Sequence, residues 1–109
     1  MKLIKVPDAI EVKVERPDGR KFERTLTFVD FVRESVENCE TFARGLKNVR
    51  KADRILRAVE SLDGQSALKI ESEDFEALKD AVDKMGWLPA VARRLLPFYE
   101  AIESAEDSH

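Results

Sequence analysis

Residues 10–26 read IEVKVERPDGRKFERTL, and this stretch determines how the chain begins to fold. Over residues 10–15 apolar and charged residues alternate with a period of two, which is typical of a strand with one buried face. The segment PDG at residues 17–19 favours a chain reversal, because proline presets the first turn position and glycine accepts a positive φ. Residues 21–26 then return as a second strand. The stretch therefore predicts an N-terminal β-hairpin.

Two short apolar runs lie outside this hairpin. Residues 3–6 either extend its first strand past Pro7 or form a short strand of their own. Residues 67–70 offer a third short strand that would widen the hairpin. Because an isolated hairpin is only marginally stable in water, we expect it to pack on the helices that follow.

After Thr27 the apolar residues recur at helical spacing. Thr27 and Asp30 predict a capping arrangement at the start of a first helix. Asn48 and Ser72 are predicted to cap the second and third helices, since both residue types accept hydrogen bonds from the first turn. Glycines at positions 64 and 86 predict where those two helices end.

The C-terminal part of the helical region contains two prolines. Pro89 suits the first turn of a fourth helix, and Pro97 either kinks that helix or begins a fifth one. The predicted fold class is α+β, with the hairpin packed on about four α-helices. By length the chain forms one domain, residues 1–109, with a hairpin region at 1–27, a helical region at 28–102 and a polar, frayed tail at 103–109.

The composition argues against an enzyme. The single histidine is the last residue, His109, where nothing would hold it in position for Ser–His or Cys–His chemistry. Thiolate and imidazole ligands for a metal are lacking, and four scattered glycines form no phosphate-binding loop. We expect no catalytic residue, no cofactor and no metal.

One cluster of acids is the remaining candidate for catalysis. It consists of Glu71, Glu73, Asp74 and Glu76. We interpret it as the acid-rich first turn of a helix, where negative charge is favourable. A carboxylate enzyme site would require these side chains to line a concave pocket.

The charge and cysteine content indicate the compartment. Charged residues make up 38% of the chain, yet the net charge is only −3, which gives no overall bias toward nucleic acid or an anionic membrane. Cys39 is the single cysteine, so no intramolecular disulfide can form and a reducing compartment fits. The N-terminus lacks the apolar run of a signal peptide, and no stretch is long and apolar enough for a bilayer. We expect a cytoplasmic protein without a membrane partner.

A basic segment spans residues 44–57. Its cations are Arg44, Lys47, Arg50, Lys51, Arg54 and Arg57. Three interpretations remain open: a solvated face or one paired with the acids of residues 59–83, a protein-binding surface, or a track for a phosphate backbone. No aromatic residue lies among these cations to stack on bases, which disfavours binding of single-stranded nucleic acid.

Residues 84–102 read KMGWLPAVARRLLPFYEAI and combine aromatic, apolar and basic residues. Most of the large apolar residues recur near helical spacing, which predicts that they form core. Arg93 and Arg94 would then face solvent. Large aromatics and arginine are also the residues that anchor interfaces, so Trp87, Arg93, Arg94 and Tyr99 are the candidate partner-binding residues of this segment.

Several segments together resemble a known class of protein. They are ADRILRAVE at residues 52–60, LKI at 68–70, EDFEALK at 73–79, Trp87, and FYEAI at 98–102. In this pattern the chain is similar to small proteins encoded in the structural-gene clusters of tailed bacteriophages and prophages, broadly the tail-assembly chaperones. The resemblance implies a non-enzymatic protein that binds a virion component in the host cytoplasm. It carries over no functional residue.

The residues disfavour an enzyme, and the resemblance implies a protein-binding factor of phage or prophage origin that acts in virion tail assembly. The alternative is a small nucleic-acid-binding regulator that uses the basic helix at residues 44–57. An unpaired edge of the hairpin would also allow another copy of the chain to pair with it, so a homo-oligomer is compatible with the sequence.

Overall fold

The computed structural model describes residues 1–62, 64 and 66–107. The expectation that nothing holds His109 in position therefore concerns a residue outside the described ranges. Within them the chain has the predicted α+β fold. The strands are β1 (Lys2–Lys5), β2 (Ile10–Glu15), β3 (Lys21–Leu26), β4 (Ala67–Ile70) and β5 (Glu106–Asp107). The α-helices are α1 (Phe28–Glu37), α2 (Leu46–Glu60), α3 (Ser72–Lys84), α4 (Pro89–Arg94) and α5 (Leu96–Glu103), and a 3₁₀ helix covers Glu40–Ala43.

The predicted N-terminal hairpin is confirmed. Strands β2 and β3 pair antiparallel, from Ile10 opposite Leu26 to Glu15 opposite Lys21. The turn is closed by the N–H of Gly19, which donates to the carbonyl of Arg16 at 2.9 Å. Gly19 has φ +83°, a conformation that costs glycine little, so the sequence pattern and the turn agree.

Residues 67–70 form the predicted short strand, but they do not widen the hairpin, which corrects the predicted partner of that strand. Strand β4 pairs antiparallel with β1 in a separate sheet whose order is β4-β1-β5. The choice between the two readings of residues 3–6 is thereby settled in favour of a strand of their own. Proline has no N–H to donate to a ladder, so Pro7 separates β1 from β2. Ile4, at the centre of the second sheet, is fully buried.

The described part of the C-terminal tail is not frayed. Residue 103 still belongs to α5, and β5 pairs antiparallel with β1, placing Lys2 opposite Asp107. The Nζ atom of Lys2 lies 2.9 Å from the Asp107 carboxylate. A polar tail looks unstructured in the sequence, but here the free edge of β1 supplies backbone partners and Lys2 supplies an opposite charge.

Helix α1 begins as predicted. The hydroxyl of Thr27 accepts a hydrogen bond from the backbone N–H of Asp30 at 3.1 Å, and the Asp30 carboxylate accepts one from the N–H of Thr27 at 3.3 Å. This reciprocal capping box satisfies two donors that the first turn of a helix would leave unpaired.

Helix α2 differs from the prediction at both ends. It begins at Leu46, so Asn48 is not its cap, and the Asn48 side chain instead donates to the carbonyl of Arg44 at 3.0 Å. Gly45, with φ +82°, lets the chain enter the helix earlier than a cap at Asn48 would. The helix ends at Glu60, and the predicted stop, Gly64, lies beyond it in the turn before β4.

Helix α3 also starts and ends differently by a residue or two. Ser72 is its first residue and not its cap, because Glu71 occupies the cap position with an extended backbone and no capping hydrogen bond. The helix ends at Lys84 because Met85 leaves it in an extended conformation. Gly86 therefore does not adopt the positive φ of a glycine stop.

Both prolines of the C-terminal segment stand at helix starts. Pro89 opens α4, and Pro97 lies in the first turn of a fifth helix, α5. Within its described residues, the predicted helical region at 28–102 thus holds five α-helices and is interrupted by β4. No helix in the described ranges is long and apolar enough to cross a membrane.

An aromatic cluster ties the C-terminal helices to α1. The ring of Phe98 on α5 lies 5.6 Å from that of Phe28 and 5.3 Å from that of Phe31, measured between centroids. All three side chains are buried. Helix α1 also packs against α2 and α3, while α4 lies against β2. This packing fixes the position of α4 beside the hairpin.

Candidate protein-binding surface

Three cations of the basic segment pair with the first turn of α3. The Arg54 guanidinium holds the Asp74 carboxylate through two hydrogen bonds, Nε to Oδ2 at 2.8 Å and Nη2 to Oδ1 at 2.7 Å. The Nζ atoms of Lys51 and Lys47 lie 3.3 Å and 3.6 Å from one carboxylate oxygen of Glu73. These three cations of α2 are therefore paired with acids of α3. Of the three interpretations that the sequence left open, this is the one in which the basic face is neutralised within the chain.

The pair between Arg54 and Asp74 is asymmetric in burial. The Asp74 side chain is only 2% exposed, whereas that of Arg54 is 49% exposed. Hydrogen bonding to Asp74 raises the pKa of the Arg54 guanidinium. The hydrogen bond from Lys51, aided by its charge and that of Lys47, lowers the pKa of Glu73. Because a bidentate Arg–carboxylate contact is among the strong ion pairs, Arg54 is held against α3.

The remaining cations of the segment do not form a continuous track. Arg57 lies 3.0 Å from the Asp53 carboxylate, and Arg44 lies 3.5 Å from that of Glu40. Arg50 is exposed and makes no ion pair within the described part of the chain. The basic segment thus offers a partner one unpaired guanidinium.

The acidic cluster is divided by these contacts. Glu73 and Asp74 are engaged by α2, while Glu71 and Glu76 are exposed. In the described ranges no group of three or more His, Cys, Asp or Glu side chains is arranged to hold a metal ion. Two of the four carboxylates that the sequence singled out therefore serve to join two helices.

Trp87 and Tyr99 lie against the aromatic cluster. The indole of Trp87 stacks on Phe31 with centroids 6.2 Å apart and planes 20° apart, and the Tyr99 ring meets Phe31 edge-on at 5.2 Å. Both side chains are half-buried. Burial, and secondarily the charge of Asp83, raises the pKa of Tyr99. These two predicted partner-binding residues are thus mainly packed against α1.

Helix α4 exposes a surface that is both apolar and cationic. Its inward residues are Val91 and Leu95, both buried. The exposed residues of α4 and of the positions that flank it, which we name the α4 surface, are Leu88, Ala90, Arg93, Arg94 and Leu96. Leu88 is 59% exposed and Leu96 is 53% exposed. No acid lies within ion-pair distance of Arg93 or Arg94 among the residues that the structure describes.

A cavity adjoins the α4 surface on the side of the hairpin. It measures about 220 Å³ and is lined by Arg16, Arg24, Leu26, Gly86, Trp87, Leu88 and Val91. Ala90, Arg93 and Arg94, all exposed, border a shallow open depression next to it. Among the described residues, no acid lines the cavity or the depression. The only cationic contact to an acid here is that of Arg24, whose Nη2 lies 2.6 Å from the Glu34 carboxylate within the described structure.

Two buried polar atoms lack hydrogen-bond partners among the described residues, and one of them belongs to the lining of the first cavity. The indole Nε1 of Trp87 and the Oε2 atom of Glu34 make no hydrogen bond to any described residue. Such groups are uncommon in folded proteins, and each costs about 1–3 kcal/mol when left unpaired. The indole N–H of Trp87 is therefore a hydrogen-bond donor at this cavity that no described residue engages.

A larger cavity, of about 750 Å³, lies between α1, α2 and α3 and shares Gly86 with the first. Its lining includes Cys39, Arg44 and Lys84. These cations are already matched, since Lys84 lies 2.8 Å from the Asp80 carboxylate and Arg44 pairs with Glu40. Lys84 accordingly has a raised pKa, chiefly from its hydrogen bond to Asp80. This cavity presents little free charge to a ligand.

Sequence reasoning missed part of the candidate surface. Leu88 was expected among the core residues but is exposed, and Leu96 was not singled out. Arg16 and Arg24 were not candidates at all, because their approach to α4 depends on how the hairpin docks. Leu88 carries no local signal of exposure, since it precedes Val91 by three residues and Leu95 by seven, the spacing that places residues on one helical face. It is nevertheless 59% exposed, because it stands before α4 as its cap with non-helical backbone angles.

Comparison of this chain with known protein families, curated proteins and solved structures finds no match. Function is therefore inferred from the geometry of this surface. Arginine and tryptophan are enriched among the residues that anchor protein–protein contacts, and both are present here, as Arg93 and Arg94 and as Trp87 in the adjoining cavity. The exposed leucines add apolar area to them. Chemically, this surface suits a partner that brings negative charge together with an apolar side chain.

Proposed function

We propose that this protein is a non-enzymatic binding factor that docks an acidic, partly apolar segment of another protein on the α4 surface. The observation that carries the proposal is the pair of exposed leucines, Leu88 and Leu96, on either side of the unpaired Arg93 and Arg94. The cavity next to Leu88 gives an apolar side chain of the partner a place to insert.

The leucines and the arginines contribute to binding in different ways. Covering the exposed part of each leucine would contribute about 1 kcal/mol from the area removed from water. The arginines select the partner, since charge complementarity speeds association and disfavours basic surfaces. Arg16, on the far side of the cavity, adds to the same positive field. The combination favours an acidic segment with an apolar anchor over a purely acidic one.

For the biological setting we propose assembly of a tailed-phage virion. The support is the resemblance of residues 50–105 to small phage and prophage proteins of the tail-assembly-chaperone kind. A factor of this type needs a surface for one structural protein and no catalytic group. The partner in this proposal is a virion component, bound in the host cytoplasm.

Nucleic-acid binding by the basic segment is the weaker candidate. Lys47, Lys51 and Arg54 are occupied by Glu73 and Asp74, so a phosphate backbone would have to displace these carboxylates. Arg50 is the residue of the segment that remains free for such a contact within the described structure. This difference makes Arg50 a matched control for Arg93.

The test is affinity capture from a nuclease-treated lysate of cells that carry the source genome, with bound proteins identified by mass spectrometry. We expect one virion protein to be retained by the wild-type chain and by Arg50→Glu, and to be lost with Arg93→Glu or Leu88→Ser. Charge reversal at an interface arginine should weaken binding by about tenfold or more, because interface arginines often contribute over 1 kcal/mol.

Two results of the same experiment would count against the proposal. Equal retention by wild type and Arg93→Glu would place the contact elsewhere and contradict it. Recovery of nucleic acid without nuclease, lost in Arg50→Glu but not in Arg93→Glu, would favour the regulator instead. Circular dichroism of each variant checks that the fold is retained.

A further inference from the structure

We propose that the outer edge of β3 binds the same edge of a second copy of this chain. The two β3 strands would run antiparallel about a two-fold axis that passes between the two Phe22 positions. The result is a four-stranded sheet made from two hairpins. This inference is independent of the α4 surface and adds a self-association site to the molecule.

The edge is open in the single chain. Strands β2 and β3 form a two-stranded sheet, so the edge of β3 that faces away from β2 has no strand paired with it in the described structure. Helix α4 contacts β2, the other strand of the hairpin. The N–H of Arg16 donates to the carbonyl of Arg20 at 2.7 Å, which sets the alternation of the ladder. By that alternation the backbone groups of Lys21, Glu23 and Thr25 point away from β2, toward the open edge.

The side chains next to this edge are exposed and include two charged groups that make no close ion pair in the described structure. Lys21, Glu23 and Thr25 are all exposed, and neither Lys21 nor Glu23 makes an ion pair shorter than 4.0 Å in the described structure. Across the hairpin, Lys21 stands opposite Glu15 and Glu23 stands opposite Lys13. Opposite charges already face each other on the two strands of one copy.

The proposed pairing extends this pattern across the contact. With the axis between the two Phe22 positions, Lys21 of each copy stands opposite Glu23 of the other. Across the four strands, one row of side chains then consists of Glu15 and Lys21 of the first copy, followed by Glu23 and Lys13 of the second copy. Each charge in this row lies next to an opposite charge. The symmetry generates the same row a second time. Directly opposed unlike charges stabilise cross-strand pairs, and like charges destabilise them.

The neighbouring symmetric registers lack this match. In a symmetric dimer both copies use the same residues for the contact. The two-fold axis perpendicular to the sheet therefore passes between two copies of one residue, and each possible register sets a different residue opposite itself. An axis at Lys21 opposes two lysines, one at Glu23 opposes two glutamates, and one at Arg24 opposes two arginines. Charge complementarity therefore selects the axis at Phe22 and identifies the occupant of the edge as another copy of this strand.

The test is sedimentation velocity of the full chain over a concentration series. We expect a monomer–dimer equilibrium for the wild type. Lys21→Glu or Glu23→Lys alone should raise the dissociation constant by about tenfold or more, because each puts two pairs of like charges across the contact. An equimolar mixture of the two variants should recover dimer, since a mixed pair again sets a lysine of one copy opposite a glutamate of the other in both rows.

Two further variants distinguish a loss of dimer contacts from a general effect of substitution on folding. Thr25→Pro removes one outward N–H without changing charge, at an edge position where proline is tolerated, and should also weaken the dimer. Lys79→Glu reverses an exposed lysine on α3, away from the edge, and should leave the dissociation constant unchanged. A monomeric wild type at every concentration, or single variants that dimerise as tightly as wild type, would overturn the proposal.

Discussion

Among single residues, the contact between Arg54 and Asp74 determines what the basic segment can do. A nearly buried carboxylate receives two hydrogen bonds from one guanidinium that is itself half exposed. Removing a buried carboxylate's partner leaves an uncompensated charge, which is more damaging than the loss of a surface pair. Arg54 therefore joins α2 to α3 before it can serve any ligand.

Arg54→Ala should lower the thermal unfolding midpoint by about 5 °C or more, because it leaves the Asp74 carboxylate buried and unpaired. The matched control is Arg57→Ala, which removes an arginine of the same helix whose partner, Asp53, is exposed. We expect the control to change the midpoint by about 2 °C or less. Equal midpoints for the two variants in differential scanning calorimetry would contradict this role for Arg54.

The sequence identified every charged residue of this contact but not the contact itself. The positions of the cations on α2 and of the acids at the start of α3 follow from local patterns. Which cation meets which acid depends on how α2 packs on α3, and that packing involves the whole core. The same limit applies to Arg24, whose pairing with Glu34 requires the hairpin to dock on α1.

Among the elements of the fold, the hairpin turn is the feature that the sequence predicts most directly. Gly19 adopts φ +83°, and a Cβ added there would meet no atom within 4 Å. The requirement for glycine at this position is therefore one of backbone conformation and not of space. Gly86 also has open space around its Cα, but its φ is not in the left-handed region.

Gly19→Ala should reduce the free energy of unfolding by about 1 kcal/mol, the cost of holding an L-residue in a left-handed conformation. Gly86→Ala should raise it by about 0.4–1 kcal/mol, because alanine restricts the unfolded chain more than glycine does. Urea unfolding of both variants gives the comparison. A destabilisation of the same size at both positions would show that the turn conformation is not the cause.

Elements with local signals were predicted well, and those with distant partners were not. The hairpin and the cap formed by Thr27 and Asp30 depend on residues close together in the chain. The sheet β4-β1-β5 joins three segments from the start, the middle and the end of the chain. No pattern within residues 67–70 says that their partner is β1 and not the hairpin, so the strand was predicted and its neighbour was not.

In the molecule as a whole, the candidate surface exists because α5 anchors α4 beside the hairpin. Phe98 and Leu95 are buried, and this fixes which side of α4 faces outward. The cavity beside Leu88 takes its lining from the hairpin and from the segment that joins α3 to α4. The sequence predicts Arg93, Arg94 and Trp87 as candidate partner-binding residues. It does not predict the cavity or the presence of Arg16 and Arg24 in its lining, because these depend on packing between distant segments.

The fluorescence of Trp87, the only tryptophan, reports on any partner that enters this cavity, because the indole forms part of its lining. The wild-type chain is titrated with a synthetic peptide of alternating Glu and Leu residues, and its fluorescence is compared with that seen on adding a Lys–Leu peptide of equal length. We predict a saturable change with the acidic peptide, a much weaker one with the basic peptide, and loss of the response in Arg93→Glu. No response to the acidic peptide, or equal responses to both, would contradict an acidic, apolar partner on the α4 surface.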